Sequence, residues 1–321
     1  MPSFCRHGRL LQNCVICAKS DAPARPAARA PRQPRSRTGA ARPNARAATG
    51  LKVRRVTRAA DDGFESELVP GLRATEDALR LADELAFSEA RLAELRAAPP
   101  GLYAEVAAAP DAEEACWLAF LIAYLCPLSI PAAFDGITAA RVSWASGELP
   151  DIDGAALGPR SGHDPGRGTA TVLAYRSWAA RTGSQYAGLL GDREWEPERR
   201  FVRTFERLAL PGLHRGARFE LLTSLGALGV VPIEAGTMAL AAADPSDAVA
   251  LAAKRVLGIG DAINLERRAA ALADGVGVPP AALDLALHNW SQPGEDRATM
   301  GATVGADEDR RGAIAAALGA L

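Results

Sequence analysis

The residues best suited to chemistry gather in the last third of the chain. Asp284 follows Gly260 by 24 residues, and His288 stands four residues beyond it. On a helix the two share a face. A carboxylate and an imidazole so placed can work as an acid/base couple, the carboxylate taking a proton from an incoming nucleophile or stabilising a developing cation. The ordinary alternatives are a first-turn acid answering its helix dipole after Pro279-Pro280, and a surface ion pair. Upstream, Lys254-Arg255 lead into Gly258-Ile259-Gly260 and Asp261. Glycine lets backbone come close to a ligand, so the N–H groups and cations of a helix–GxG–helix hairpin can hold a phosphate. An αα turn with glycine just past a helix end has the same sequence. Trp290 can stack on a base or fill a core.

A second group of polar residues lies in RVSWASGELPD (141–151) and PRSGHDPGRGT (159–169). Arg141, Arg160, His163 and Arg167 stand among glycines, where cations and N–H groups can bind phosphate or pyrophosphate. Glu148 is a further candidate acid, and Trp144 a further stacking surface. The plainer reading is a solvated loop pinned by weak surface ion pairs. At the N-terminus, Cys5-x-His7, six residues, then Cys14-x-x-Cys17 offer three thiolates and an imidazole, a tetrahedral donor set for a structural Zn²⁺. Redox thiols or an unstructured head are the alternatives.

The elements that must position these groups read as helix after helix, so the fold class expected is all-α. Thr75 with Glu76 and Asp77 opens a helix over 75–97, with Leu81, Leu85, Leu92 and Leu95 on its apolar face. A helix from Asp111 to Cys126 is apolar nearly all round and is expected at the centre of the core, which would bury Cys116 and Cys126. Further helices are expected at 169–182, 197–209, 213–228, 244–257, 261–275 and 279–290. Residues 127–168, dense in glycine and proline, read as a long irregular region, a kind that is often functional.

Formal net charge is −1, but residues 1–58 hold 14 Lys and Arg against one acid, Asp21. A basic arm therefore precedes an acidic body. The arm is too poor in large apolar residues to fold and can bind nucleic acid without sequence preference, or serve as a linker. The organisation expected is a zinc-binding head (1–20), a disordered basic linker (21–71), a helical domain (72–292) and a loose C-terminal tail (293–321) with one short helix. The longest apolar run, Ala115–Cys126, is short of the ~20 residues that span a bilayer, and five cysteines with no secretory leader point to a reducing cytoplasm.

Several blocks, in one order, resemble a known family. They are PPGLYAEV (99–106), EEACWLAFLIAYLCPL (113–128), SWASGELPD (143–151), the HDPGRG region, PERRFVRTFERLALPG (197–212), AAKRVLGIGD (252–261) and LDLALHNW (283–290). Residues 76–290 thus resemble the α-glutamyl/putrescinyl thymine pyrophosphorylases, in particular clade 3. The resemblance implies an all-helical fold related to the helix-hairpin-helix DNA glycosylases. It implies a transferase on DNA, in which an amine from putrescine or glutamate displaces pyrophosphate from a pyrophosphorylated 5-hydroxymethyluracil. Asp284 is carried over by its place after the hairpin. A DNA glycosylase using the same hairpin and acid is the first alternative, and a non-catalytic DNA-binding or defence-associated module is the second. A DNA partner and a cytoplasmic, nucleoid-associated location go with any of the three.

Overall fold

The computed structural model describes residues 59–321 except 130, 131 and 293. The described residues contain twelve α-helices and no strand, and belong to one unit of the chain. The zinc head with Cys5, His7, Cys14 and Cys17, and the basic arm to residue 58, lie outside them.

Helix α3 (Ala112–Leu125) is the centre that its composition predicts. Every residue from Ala115 to Leu125 except Leu118 is buried, and Cys116 and Cys126 are among the buried thiols. It packs against α2 (Leu102–Ala108), α6 (Gln185–Leu190) and α8 (Arg215–Ala227). The acids at its start do more than answer the helix dipole. Glu113 accepts the N–H groups of Gln185 (2.9 Å) and Tyr186 (2.8 Å), so it holds the start of α6. Glu114 accepts the Ser143 hydroxyl and the N–H groups of Trp144 and Ala145, which ties down the irregular middle.

The second half of the core is built on α1 (Thr75–Ala97). It packs against α11 (Pro280–Ser291) and α12 (Glu308–Leu318), and α11 in turn covers α9 (Ala248–Val256) and α10 (Ala262–Val276). Helix α8 touches both α1 and α3, so it links the two halves. The remaining helices, α4 (Asp135–Ala140), α5 (Gly168–Arg181) and α7 (Pro197–Arg207), close the sides.

Two expected boundaries move. The linker expected to run to residue 71 ends earlier, because residues 59–71 are part of the fold. Phe64 and Val69 are buried, and Asp62 reaches forward 13 residues to accept the N–H of Thr75 at 3.0 Å. That carboxylate does the capping expected of Thr75, which is instead the first helical residue after an uncapped Ala74. The tail after 292 is not loose. Ile314, Ala315 and Leu318 bury one face of α12. Arg310 donates to the carbonyls of Val276 (2.9 Å) and Gly277 (2.7 Å) at the end of α10, where four carbonyls lack helical partners.

Candidate functional site

Helix α11 begins with Pro280 at its first position and is buried from Ala282 to Ser291 between α1 and α9. Asp284 therefore sits in the second turn, 1% exposed, and is not a surface acid of the first turn. Two guanidinium groups hold its carboxylate. Arg215, in the first turn of α8, donates from Nη1 to Oδ2 at 2.6 Å, and Arg160 donates from Nη2 to Oδ1.

Arg215 is fully committed. Its Nε donates to Asp247 Oδ2 (2.9 Å), its Nη2 to Asp247 Oδ1 (3.3 Å), and its Nη1 also to the Met238 carbonyl (3.0 Å). Asp247 in turn caps α9 by accepting the Ala250 N–H at 2.9 Å.

Arg160 comes from the irregular region, and its approach is fixed by the end of α3. The N–H groups of Gly158 and Gly162 donate to the carbonyls of Cys126 and Tyr124, both at 2.9 Å. A Cβ on Gly158 would lie 1.9 Å from the Pro127 oxygen, so only glycine lets the loop pass there. On its far side Arg160 faces Glu220 of α8 across 3.8 Å (Nη1–Oε2), and Glu220 accepts from Arg91 and from the Ser224 hydroxyl (2.8 Å). Burial pushes the Glu220 carboxyl up, but Arg91 and Arg160 outweigh it and hold the group below the ordinary carboxylate range. Burial draws the Arg160 guanidinium down to about 10, which leaves it charged at neutral pH. Arg91, Glu220, Arg160, Asp284, Arg215 and Asp247 thus form one buried chain of alternating charge.

Of this chain Arg160, Arg215 and Asp247 line a cleft of about 250 Å³, together with His214, Gly216, Ala217, Asp244, Ala248 and His288. The first turns of α8 and α9 both open on it. His288, one turn beyond Asp284 on α11, is 8% exposed and lines the same cleft.

Helix α9 joins this cleft to the hairpin. Its N-terminus is at the cleft, and its C-terminus runs through Leu257 into Gly258, whose φ of +84° suits glycine. Asp261 caps α10 by accepting the Asn264 N–H at 2.8 Å, and Arg268 donates to the Leu257 carbonyl at 2.8 Å. Lys254 is exposed, Gly260 half-buried, and Ile259 is 91% exposed at the tip. The 59–73 segment braces the hairpin: Gly71 donates to the Val256 carbonyl at 2.9 Å, and a Cβ there would meet the Arg255 oxygen at 2.1 Å.

The sequence-predicted residues therefore separate. Arg160 and His288 line the cleft, with Asp284 buried against Arg160, and Lys254, Gly258 and Gly260 meet at the hairpin. Arg141 lines a different cavity and pairs with Glu105 at 2.6 Å. Glu148 is exposed, and its backbone carbonyl accepts from Arg176 at 2.8 Å. His163 stands edge-on to Tyr124, with Nδ1 3.4 Å from its hydroxyl. Arg167 is exposed ahead of α5. Trp144 is half-buried under the Arg176 guanidinium (4.4 Å). Trp290 cannot stack on a base. It is 1% exposed, its Nε1 donates to the Asp77 carbonyl at 2.9 Å, and Arg80 and Arg255 cover its ring.

Sequence reasoning missed Arg215, Glu220, Arg91 and Asp247. One signal was present: Arg215, Phe219 and Leu222 recur at i, i+4 and i+7, which places an arginine on the buried face of α8. Among the described residues no cluster of three or more His, Cys, Asp or Glu can hold a metal, and no single helix is long and apolar enough to cross a membrane. No protein-family model, curated protein or solved structure matches the chain.

Proposed function

We propose that the chain modifies a base in DNA, with the α9–α10 hairpin, of the helix-hairpin-helix type, holding the backbone and the Arg160–Asp284–Arg215 cleft receiving the base. The observation that carries this reading is that one helix connects the two parts. Nine residues at ~1.5 Å each put the hairpin and the cleft about 13 Å apart along α9. An enzyme that extrudes a nucleotide needs a backbone grip and a reaction pocket on one rigid element.

The reaction favoured is amine transfer, as in the α-glutamyl/putrescinyl thymine pyrophosphorylases. The amine nitrogen forms a bond to the methylene carbon on C5 of the base. The C–O bond to pyrophosphate breaks, its electron pair leaves with pyrophosphate, and the ammonium proton passes to a base. The roles differ from those expected for Asp284 and Glu148. A carboxylate held by two guanidinium groups is a poor proton acceptor, because protonating it would leave two buried cations facing each other. His288, on the cleft wall, is the better acceptor, since a neutral imidazole nitrogen can take a proton. The same clamp argues against a glycosylase, which needs an uncompensated carboxylate beside an oxocarbenium-like sugar.

The test is mass spectrometry of nucleosides from DNA carrying pyrophosphorylated 5-hydroxymethyluracil, incubated with the protein and putrescine or glutamate. A new aminomethyl nucleoside is expected, and it should fade in His288→Gln. Release of a free base would select the glycosylase. Unchanged DNA with every amine would leave a DNA-binding module.

A further inference from the structure

We propose that His214, with Asp244 behind it, is the proton relay of the cleft, carrying to solvent the proton that His288 takes up. The relay rests on the reading above for where that proton comes from.

Three observations converge. First, the segments leading into α8 and α9 both line the cleft, and each brings one partner. His214 stands at the N-cap position of α8, and Asp244 stands three residues before the Asp247 that caps α9. Asp244 is preset. Its Oδ1 accepts the N–H and the hydroxyl of Ser246, at 2.8 and 2.6 Å, and its Oδ2 faces His214 Nδ1 across 3.7 Å. The Ser246 hydrogen bonds, and after them the His214 imidazole, hold the Asp244 carboxyl below the ordinary carboxylate range. A carboxylate only accepts, so the imidazole nitrogen facing it is the one that keeps its hydrogen, and Nε2 is left to take a proton.

Second, two of the four histidines of the chain line this one cleft, at different depths. His288 is 8% exposed, in the wall, and the His214 side chain is 59% exposed. A buried imidazole must hand on each proton before it can accept the next, and an exposed one can give it to a base in solution. Third, the other charged groups of the cleft are committed to one another. Asp247 pairs with Arg215 and caps α9, and Arg215 and Arg160 share Asp284. Protonating either of those carboxylates would strand a buried cation. The two imidazoles are left as the cleft groups that gain and lose a proton without that cost.

The transfer balances without any further bond change. The proton on His288 passes through the cleft to His214 Nε2, and Nε2 gives it to a buffer base, so both imidazoles return to neutral.

His214→Gln tests the relay without loosening the fold, since the side chain is exposed and caps nothing. In dilute buffer, turnover on modified DNA with saturating amine should fall by about tenfold or more. It should recover as free imidazole is added, because a small base in solution then carries the proton, and the wild type should be indifferent to imidazole. Equal turnover of the two proteins in dilute buffer overturns the relay, and so does a loss that imidazole leaves unrepaired. The pairing is read separately, without substrate. Nitrogen NMR of the isotope-labelled full chain at alkaline pH should find the His214 hydrogen on Nδ1, and Asp244→Ala should move it largely to Nε2. The same tautomer in both proteins overturns the pairing. A wild type that transfers no amine removes the DNA reading, and the tautomer then decides for or against the pair.

Discussion

Replacing Asp284 by asparagine separates an electrostatic anchor from a catalytic base. The carboxylate is 1% exposed and accepts from Arg160 and Arg215, whose side chains are 7% and 1% exposed. Asparagine keeps one acceptor and turns an NH₂ toward the other guanidinium. Two buried cations then share no counter-charge at their point of approach. Breaking a buried pair from one side destabilises by about 3–5 kcal/mol. That is a large part of the ~5–15 kcal/mol that holds a domain folded. With a urea m-value of about 3 kcal/mol/M, the midpoint should fall by roughly 1–2 M. By heat, at about 2–4 °C per kcal/mol for a chain of this size, the drop is on the order of 10 °C. The assay is equilibrium unfolding followed by circular dichroism, alongside turnover. An anchor predicts that stability and turnover fall together. A midpoint within about 0.3 M of wild type, with turnover abolished, would refute the anchor and restore Asp284 as the proton acceptor, since a loss that small is under ~1 kcal/mol.

Other consequences follow from contacts elsewhere in the fold. Gly71→Ala drives a methyl to 2.1 Å from the Arg255 oxygen, so the 59–73 segment must lift from the hairpin; overpacking of this kind costs about 1–3 kcal/mol, measured by thermal melting, and limited proteolysis should cut between 59 and 73. Glu220 has its carboxyl pK held below the ordinary 4.5, so its stabilisation is complete above that value and is lost as pH falls through the lowered folded value. Glu220→Gln should accordingly lower stability at neutral pH and flatten the acid limb of a stability–pH curve. Burial pushes both the Cys116 and Cys126 thiols up to about 12, so neither should react with a maleimide at pH 8 before unfolding. The proposed zinc head would then be read from Cys5, Cys14 and Cys17: three thiols that label only after a chelator removes one Zn²⁺, or freely if no metal is held.

Long helices were legible because their apolar spacing is repeated enough to be recognised. The helix expected over 75–97 spans Thr75–Ala97, and that expected from Asp111 to Cys126 spans Ala112–Leu125 with those two residues as its caps. Helices α2, α4 and α6 were not legible. Each has six or seven residues, too few for a 3.6-residue period to show, and glycine or proline stands close by. The start expected at residue 244 moves to Ala248, because Asp244 is used in a turn with Ser246 and Asp247 is the cap. The ends of the domain were misplaced for a related reason. Composition averaged over 21–71 hides Phe64 and Val69, two anchors that suffice to seat the last part of that segment.

The site was legible only as residue types, since pairing across the chain carries no local signal. Four basic residues of the irregular middle looked alike as anion binders, yet only Arg160 reaches Asp284, 124 residues away. What distinguishes it is not its own neighbourhood but the end of α3, whose carbonyls at Tyr124 and Cys126 hold the glycines on either side of it. Arg141 and Arg167 stay at the surface. The same logic changes the role of Asp284. As a lone acid in a sequence it reads as a base awaiting a proton. Between two buried guanidinium groups it becomes their shared counter-charge. In the proposed reaction the proton transfer falls to the imidazole of His288, and Asp284 acts by holding Arg160 and Arg215 in place.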